Sequence, residues 1–283
     1  MDQLTFTGHG GLELYYRCWR PEGRPKAVLP IVHGHGEHSG RYAHVADWFV
    51  PRGYSVYAFD LRGHGRSQGK RGALKDFGEY REDVRAFLDL VQEAEPAPVF
   101  LAGHSLGGLI VLNYVLRDPS GLAGVVASGP ILSAPGLSPF LLWLSKVLAR
   151  VWPSLVLDSG LDTSALSRDL AVVEAYVNDP LVHSKGSPSL ANEMMGAVDW
   201  TQAHAAEMAL PCLIVHGSED QLCDPQGSQV FIDNVTFPDK ERIEYEGYYH
   251  EVYNEPGKEQ VFADIEAWLE RHLQSEQDVA SDA

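Results

Sequence analysis

The five residues Gly103-His104-Ser105-Leu106-Gly107 stand between the apolar run Val99–Ala102 and the segment Leu106–Leu116, which has helical periodicity. A strand that must become a helix within so short a stretch leaves the chain very few options. The turn has to be sharp, and its central residue is held in a strained conformation that lifts the Ser105 hydroxyl above the sheet. Glycine at 103 and 107 leaves room for the close approach of strand and helix. The N–H of Leu106, at the start of the helix, favours negative charge beside that hydroxyl.

The rest of the chain repeats the same alternation. Apolar runs occur at Ala27–Val32, Tyr54–Phe59, Leu122–Ala127 and Leu213–Val215, each ending near Gly, His or Asp. Short runs without alternation read as strands buried on both faces of a parallel sheet. Pro30 lacks a ladder donor, so a bulge or an unpaired position is expected there. Between the runs, Tyr80, Val84, Phe87, Leu88 and Val91 share one helical face, as do Val261, Phe262, Ile265, Trp268 and Leu269. The predicted class is α/β, with a mostly parallel central sheet flanked by helices.

One gap breaks the rhythm, from Pro130 to Pro211. With 283 residues, the chain is long for one compact domain and short for two. Residues 1–130 and 211–274 are therefore expected to form the core, and 131–210 an inserted helical cap. Phe140–Leu157, rich in Leu, Val and Trp, is the most cap-like stretch, although a helical core segment would have the same composition. Residues 275–283 are acidic and polar, and are expected to form a flexible tail.

Charge narrows the function classes. There are 39 acidic and 22 basic residues, a formal charge of −17, which repels phosphate backbones and argues against nucleic-acid binding. Cys18, Cys212 and Cys223 are too few and too scattered for a disulfide framework or a zinc cluster. No signal peptide is visible, and no uninterrupted apolar run approaches the ~18 residues of a membrane span. A soluble cytoplasmic protein is the expectation.

A serine nucleophile on such a turn needs a base and an orienting acid, which follow it in the order acid, then histidine. After Ser105 the histidines are His183, His204, His216, His250 and His272. His250 lies in a loop between the strand-like Arg242–Tyr245 and the last helix, where open α/β sheets place their chemistry. His216, at a strand end, and His272, in the last helix, read as packing or surface residues. Asp220, just past the run Leu213–Val215, is the chosen acid. Glu219 and Asp224 compete for the role, although Asp224-Pro225 has the form of an N-cap followed by proline.

His33-Gly34-His35-Gly36-Glu37-His38 follows an early strand. In a serine hydrolase this loop supplies a second backbone donor to the oxyanion, here the N–H of His35, alongside that of Leu106. The same residues resemble the His-x-His-x-Asp-His zinc motif of metallo-β-lactamase-type hydrolases, with His33, His35 and His38 as ligands. That rival has Glu37 where the motif has Asp, and it leaves the Ser105 turn and the Asp220–His250 pair unexplained. No metal or other cofactor is expected.

These segments together resemble the monoacylglycerol lipases of the α/β-hydrolase superfamily. The resemblance is carried by His33 through Tyr42, Gly63-His64-Gly65-Arg66-Ser67, Gly103 through Gly108, Gly217 through Asp224, and Tyr249-His250-Glu251. Leu166-Ser167-Arg168 through Asn178-Asp179-Pro180-Leu181-Val182 is also similar to the family's segment after the cap. The resemblance implies cleavage of monoacylglycerols to fatty acid and glycerol, with Ser105, Asp220 and His250 as the triad. It implies an apolar cap that touches membrane or micelle, and it puts Glu37 and Arg41 near the glycerol end, where an ion pair stabilising the loop is an equal reading. A lysophospholipase or general carboxylesterase of the same fold is the nearest alternative. Two departures stand out: Tyr253 replaces a second histidine found in animal members, and Leu106 replaces methionine after the serine. Cys223 lies either at the pocket rim or in the core as a small filler.

Overall fold

Helices cover both faces of a central sheet whose inner strands are buried along their whole length. The computed structural model describes residues 4–133, 150–152, 155–158 and 160–281. Its strands are β1 (Leu4–Thr7), β2 (Glu13–Trp19), β3 (Ala27–Val32), β4 (Tyr54–Phe59), β5 (Phe100–His104), β6 (Gly124–Ser128), β7 (Leu157–Asp158), β8 (Lys185–Gly186), β9 (Cys212–Gly217) and β10 (Lys240–Tyr245). The α-helices are α1 (Ala43–Phe49), α2 (Gly78–Ala94), α3 (Leu106–Val115), α4 (Leu170–Asn178), α5 (Pro188–Ala203), α6 (Pro225–Asn234) and α7 (Lys258–Ser281). Eight strands form one sheet in the order β1-β2-β4-β3-β5-β6-β9-β10. Only β2 runs against its neighbours, antiparallel to both β1 and β4; the other pairings are parallel.

Successive side chains of each strand enter different cores, as the two-residue period of a strand requires. Val28 and Val32 of β3 join Phe87 of α2 and Leu109 of α3 on one face. Ala27, Leu29 and Ile31 join Phe49 of α1 and Trp268 of α7 on the other. Trp268 is fully buried, and truncating a side chain of this size in a core costs about 3–5 kcal/mol.

Pro30 sits in unbroken register opposite Tyr57 of β4, so there is no bulge on that side. On the β5 side, the Val28 N–H donates to the Pro98 carbonyl, and the ladder resumes only at Ile31 opposite Ala102. The proline thus falls in the interrupted part of the β5 ladder, where its missing donor costs least.

Between β6 and β9, the described residues form β7, α4, β8 and α5. The last helix, α5, sends Leu190, Ala197 and Val198 into the α2–α3 core, and Asn113 of α3 bonds to Thr201 at 2.9 Å. This helix packs against the core through its apolar stripe. Most of Phe140–Leu157 lies outside the described residues. At the other end of the chain the backbone of α7 continues to Ser281, where a loose tail had been expected. No helix among the described residues is long and apolar enough to cross a membrane.

Candidate active site

The segments after β3, β5, β9 and β10 emerge along one edge of the sheet and carry the candidate residues to a common point. Ser105, between β5 and α3, has φ 55 and ψ −116, and it is the one non-glycine residue with positive φ among those described. Such a conformation costs about 1–3 kcal/mol and persists only when its surroundings enforce it. Here the Ser105 N–H donates to the Ser128 carbonyl, and its own carbonyl accepts from Leu109 and Ile131 N–H. A Cβ at Gly103 would stand 2.3 Å from the Gly107 oxygen, and one at Gly107 would stand 2.0 Å from the Val32 oxygen. Both glycines are therefore required by the close approach of the backbone.

Asp220 follows β9 and is held from four directions. Its Oδ1 accepts from the Leu222 and Cys223 N–H groups at 2.8 and 2.9 Å. Its Oδ2 meets His250 Nδ1 at 2.7 Å and His216 Nε2 at 3.1 Å. Burial would push this carboxyl up, but His250, His216 and the Cys223 N–H hold it well below the usual range. For His250, burial works downward, while Cys223 and the Asp220 carboxylate outweigh it and raise its pKa well above 6.5. The rival acids lie elsewhere: Glu219 is exposed, and Asp224 caps α6 by accepting from Gln226 N–H at 2.9 Å.

His216, read from sequence as a packing or surface residue, is buried and bonded to the acid. Its Nδ1 meets Ser228 Oγ at 2.9 Å. The spacing His216-Gly217-Ser218-Glu219-Asp220 carried that signal, since a turn after β9 folds the fifth residue back onto the first. Of the other histidines, His204 stacks on Trp200, His272 pairs with Asp239, and His183 packs against His35 and His64.

Ser105 Oγ lies 4.0 Å from Cys223 Sγ, and among the described residues no hydrogen bond joins it to His250. Catalytic bonds of this kind are often long without substrate and tighten in the complex. Cys223 thus lines the pocket. Likewise, among the described residues no backbone acceptor takes the His35 or Leu106 N–H.

The zinc set does not converge. His33 Nδ1 bonds the Gly34 carbonyl and its Nε2 accepts from Leu61 N–H. His38 uses Nδ1 for Gly40 N–H and Nε2 for Asp179. With both nitrogens of each ring engaged, these histidines have no lone pair to share with His35.

Above Ser105 is a cavity of about 180 Å³ with two characters. Ile131, Leu161, Leu166, Met194 and Leu222 make one part apolar, whereas His104, Glu37, Glu251 and Tyr176 make the other polar. Arg41 Nη1 bonds Glu37 Oε2 at 2.8 Å and Glu251 Oε1 at 2.7 Å, and its Nη2 bonds Glu251 Oε2 at 2.7 Å. Glu37 Oε1 also accepts from Gly34 N–H and Tyr42 OH. Burial would raise the Glu37 carboxyl, but Arg41, with His104 and His33, holds it at about 2. Glu251 was not singled out from sequence, where it is one acid among many. Tyr253 packs between His104 and Phe262, in the core rather than in the pocket lining.

The family profile described as serine aminopeptidase, S33 matches residues 23–257. The chain is 40% identical over 275 residues to a monoacylglycerol lipase of Mycolicibacterium smegmatis, covering 96% of this chain and 98% of that one. It is 35% identical to the monoglyceride lipase of Homo sapiens, covering 92% and 87%. Among solved structures, the monoacylglycerol lipase of Paleococcus ferrophilus superposes with a TM-score of 0.83 at 37% identity, covering 92% and 99%.

Proposed function

The chain belongs to the family described as serine aminopeptidase, S33, and to the monoacylglycerol lipases within it, and from that membership we propose that it cleaves monoacylglycerols to fatty acid and glycerol. It is a carboxylic ester hydrolase of the α/β-hydrolase fold. The peptide substrate in the family's description is not carried over, because the relatives at 35–40% identity are named as lipases.

The observation that supports the mechanism is the strained Ser105 in one pocket with His250, itself bonded to Asp220 at 2.7 Å. His250 Nε2 takes the hydroxyl proton as Ser105 Oγ attacks the ester carbonyl, and Asp220 holds the Nδ1–H tautomer and stabilises the imidazolium. The oxyanion lies between the N–H groups of His35 and Leu106; losing one such donor typically costs about 10²–10³ in rate. His250 then protonates the departing glycerol, and a water deprotonated by the same ring releases the fatty acid from Ser105. Glu37 borders the glycerol side, with Arg41 bonded to its carboxylate, and the acyl chain lies along Ile131, Leu161, Leu166 and Met194.

The cap is read as residues 131–210, and among its described residues Leu161, Leu166, Tyr176 and Met194 line this pocket. Trp152 and Leu170 are 59% and 79% exposed, and with Val151 and Val177 they are exposed apolar side chains available to membrane or micelle. The three free thiols fit a reducing, cytoplasmic setting. A fluorophosphonate that labels Ser105 stoichiometrically, with or without chelator, is the expected result. Hydrolysis that resists the label and is lost to chelator would overturn the assignment.

A further inference from the structure

Arg41 lies between the carboxylates of Glu37 and Glu251, both of which line the Ser105 pocket, and the triad chemistry accounts for only part of this arrangement. Because His250 protonates the leaving alcohol, that alcohol has to depart past its ring. Glu251 follows His250 directly in the chain and lines the same pocket, so its carboxylate flanks the space that the alcohol's substituents occupy. We propose that Glu251 determines alcohol specificity: it gives the subsite an excess of negative charge that admits neutral polyols and turns away alcohols bearing a phosphate. The proposal rests on the triad reading, which is what places the alcohol beside His250.

The charge balance follows from the hydrogen bonds. Arg41 and Glu37 alone would be neutral together, at 2.8 Å. Glu251 adds a second carboxylate, held bidentately by Arg41 and at 2.9 Å by Asn254 Nδ2. Three of the five Arg41 N–H donors are spent on these two carboxylates, whose combined charge exceeds its own, and its Cζ lies 4.7 Å from the Tyr176 ring centre. Glu37 and Glu251 are 4% and 3% exposed, so little water screens the excess charge. Glu37 Oε2 and Glu251 Oε1 each accept only from Arg41 among the described residues, which leaves acceptor capacity for hydroxyl donors. A phosphate brings acceptors and negative charge, the two properties this wall cannot satisfy.

The test is a matched pair of substrates with one acyl chain, a monoacylglycerol and the corresponding acylglycerol phosphate. Wild type should prefer the neutral ester, and Glu251→Gln should lower the ratio of the two kcat/KM values by about tenfold, as expected for removal of one like-charge contact. Glu251→Asp should keep the preference. An unchanged ratio in a folded Glu251→Gln variant overturns the proposal. A second measurement needs no variant. The acyl-enzyme formed from a p-nitrophenyl ester should be intercepted by added glycerol and not by glycerol 3-phosphate; equal interception also overturns it. Wild type that cleaves both esters equally removes the charge filter and leaves ester hydrolysis at Ser105 standing. Wild type that cleaves no ester removes that reading as well.

Discussion

His216 Nε2 lies 3.1 Å from Asp220 Oδ2, the oxygen that also binds His250 at 2.7 Å. Asp220 is thereby fixed by two imidazoles and two backbone N–H groups. Removing His216 leaves the carboxylate one partner short and free to tilt away from His250. Hydrogen bonds to charged groups are worth about 1.5–3 kcal/mol, so His216→Phe should lower kcat/KM by about tenfold or more. The pH–rate profile separates positioning from simple loss of fold. In wild type, activity rises with pH as His250 loses its proton, and the midpoint lies above 6.5 because Cys223 and the Asp220 carboxylate outweigh burial and hold that pKa up. Weakening the Asp220–His250 bond lowers the pKa, so the limb should move to lower pH in His216→Phe.

Ser105 holds a conformation that glycine adopts without strain and alanine does not. Ser105→Ala and Ser105→Gly should both be inactive. The glycine variant should be more stable than the alanine variant by about 1 kcal/mol, or roughly 2–4 °C in Tm for a chain of this size. Calorimetry of the two variants checks this, and equal Tm values would mean that the strain is relieved elsewhere.

Stability should fall as pH drops from about 6.5 towards 4. Burial, the largest cause in each case, lowers His35, His104 and His183 to about 4. Between those pH values the unfolded chain binds protons at these rings that the folded chain refuses. The slope is about 1.4 kcal/mol per pH unit for each such group. Urea unfolding at pH 7, 6 and 5 measures it, and His104→Asn should flatten the dependence.

The exposed apolar side chains Trp152 and Leu170 bear on how substrate is reached. Trp152→Asp with Leu170→Asp should weaken binding to neutral vesicles and should slow hydrolysis of vesicle-borne substrate more than that of a monomeric short-chain ester. Equal slowing of both would place the two residues in substrate binding instead of surface contact.

Local chemistry made much of this protein legible in one dimension. A strand, a glycine-flanked serine and a helix admit one kind of turn, so the Ser105 elbow and the mostly parallel, helix-flanked sheet could be read from apolar runs and glycine positions alone. Asp220 and His250 were chosen because the loops after successive parallel strands emerge at the same edge, and the structure puts the two within 2.7 Å of each other. What depended on side-chain partners across the fold could not be read this way. His216 looked like a strand-end packing residue until the turn after β9 brought Asp220 onto its ring. That Leu190, Ala197 and Val198 of α5 would pack against α3 could not be foreseen, because an apolar stripe does not say which neighbour will cover it. Glu251 was one of 39 acidic residues, and its position opposite Arg41, 210 positions away in the chain, was decided only when β3 and β10 delivered their loops to the same pocket. Periodicity and turn chemistry are local and therefore written in the sequence, whereas the pairing of charges across a pocket is a property of the assembled sheet.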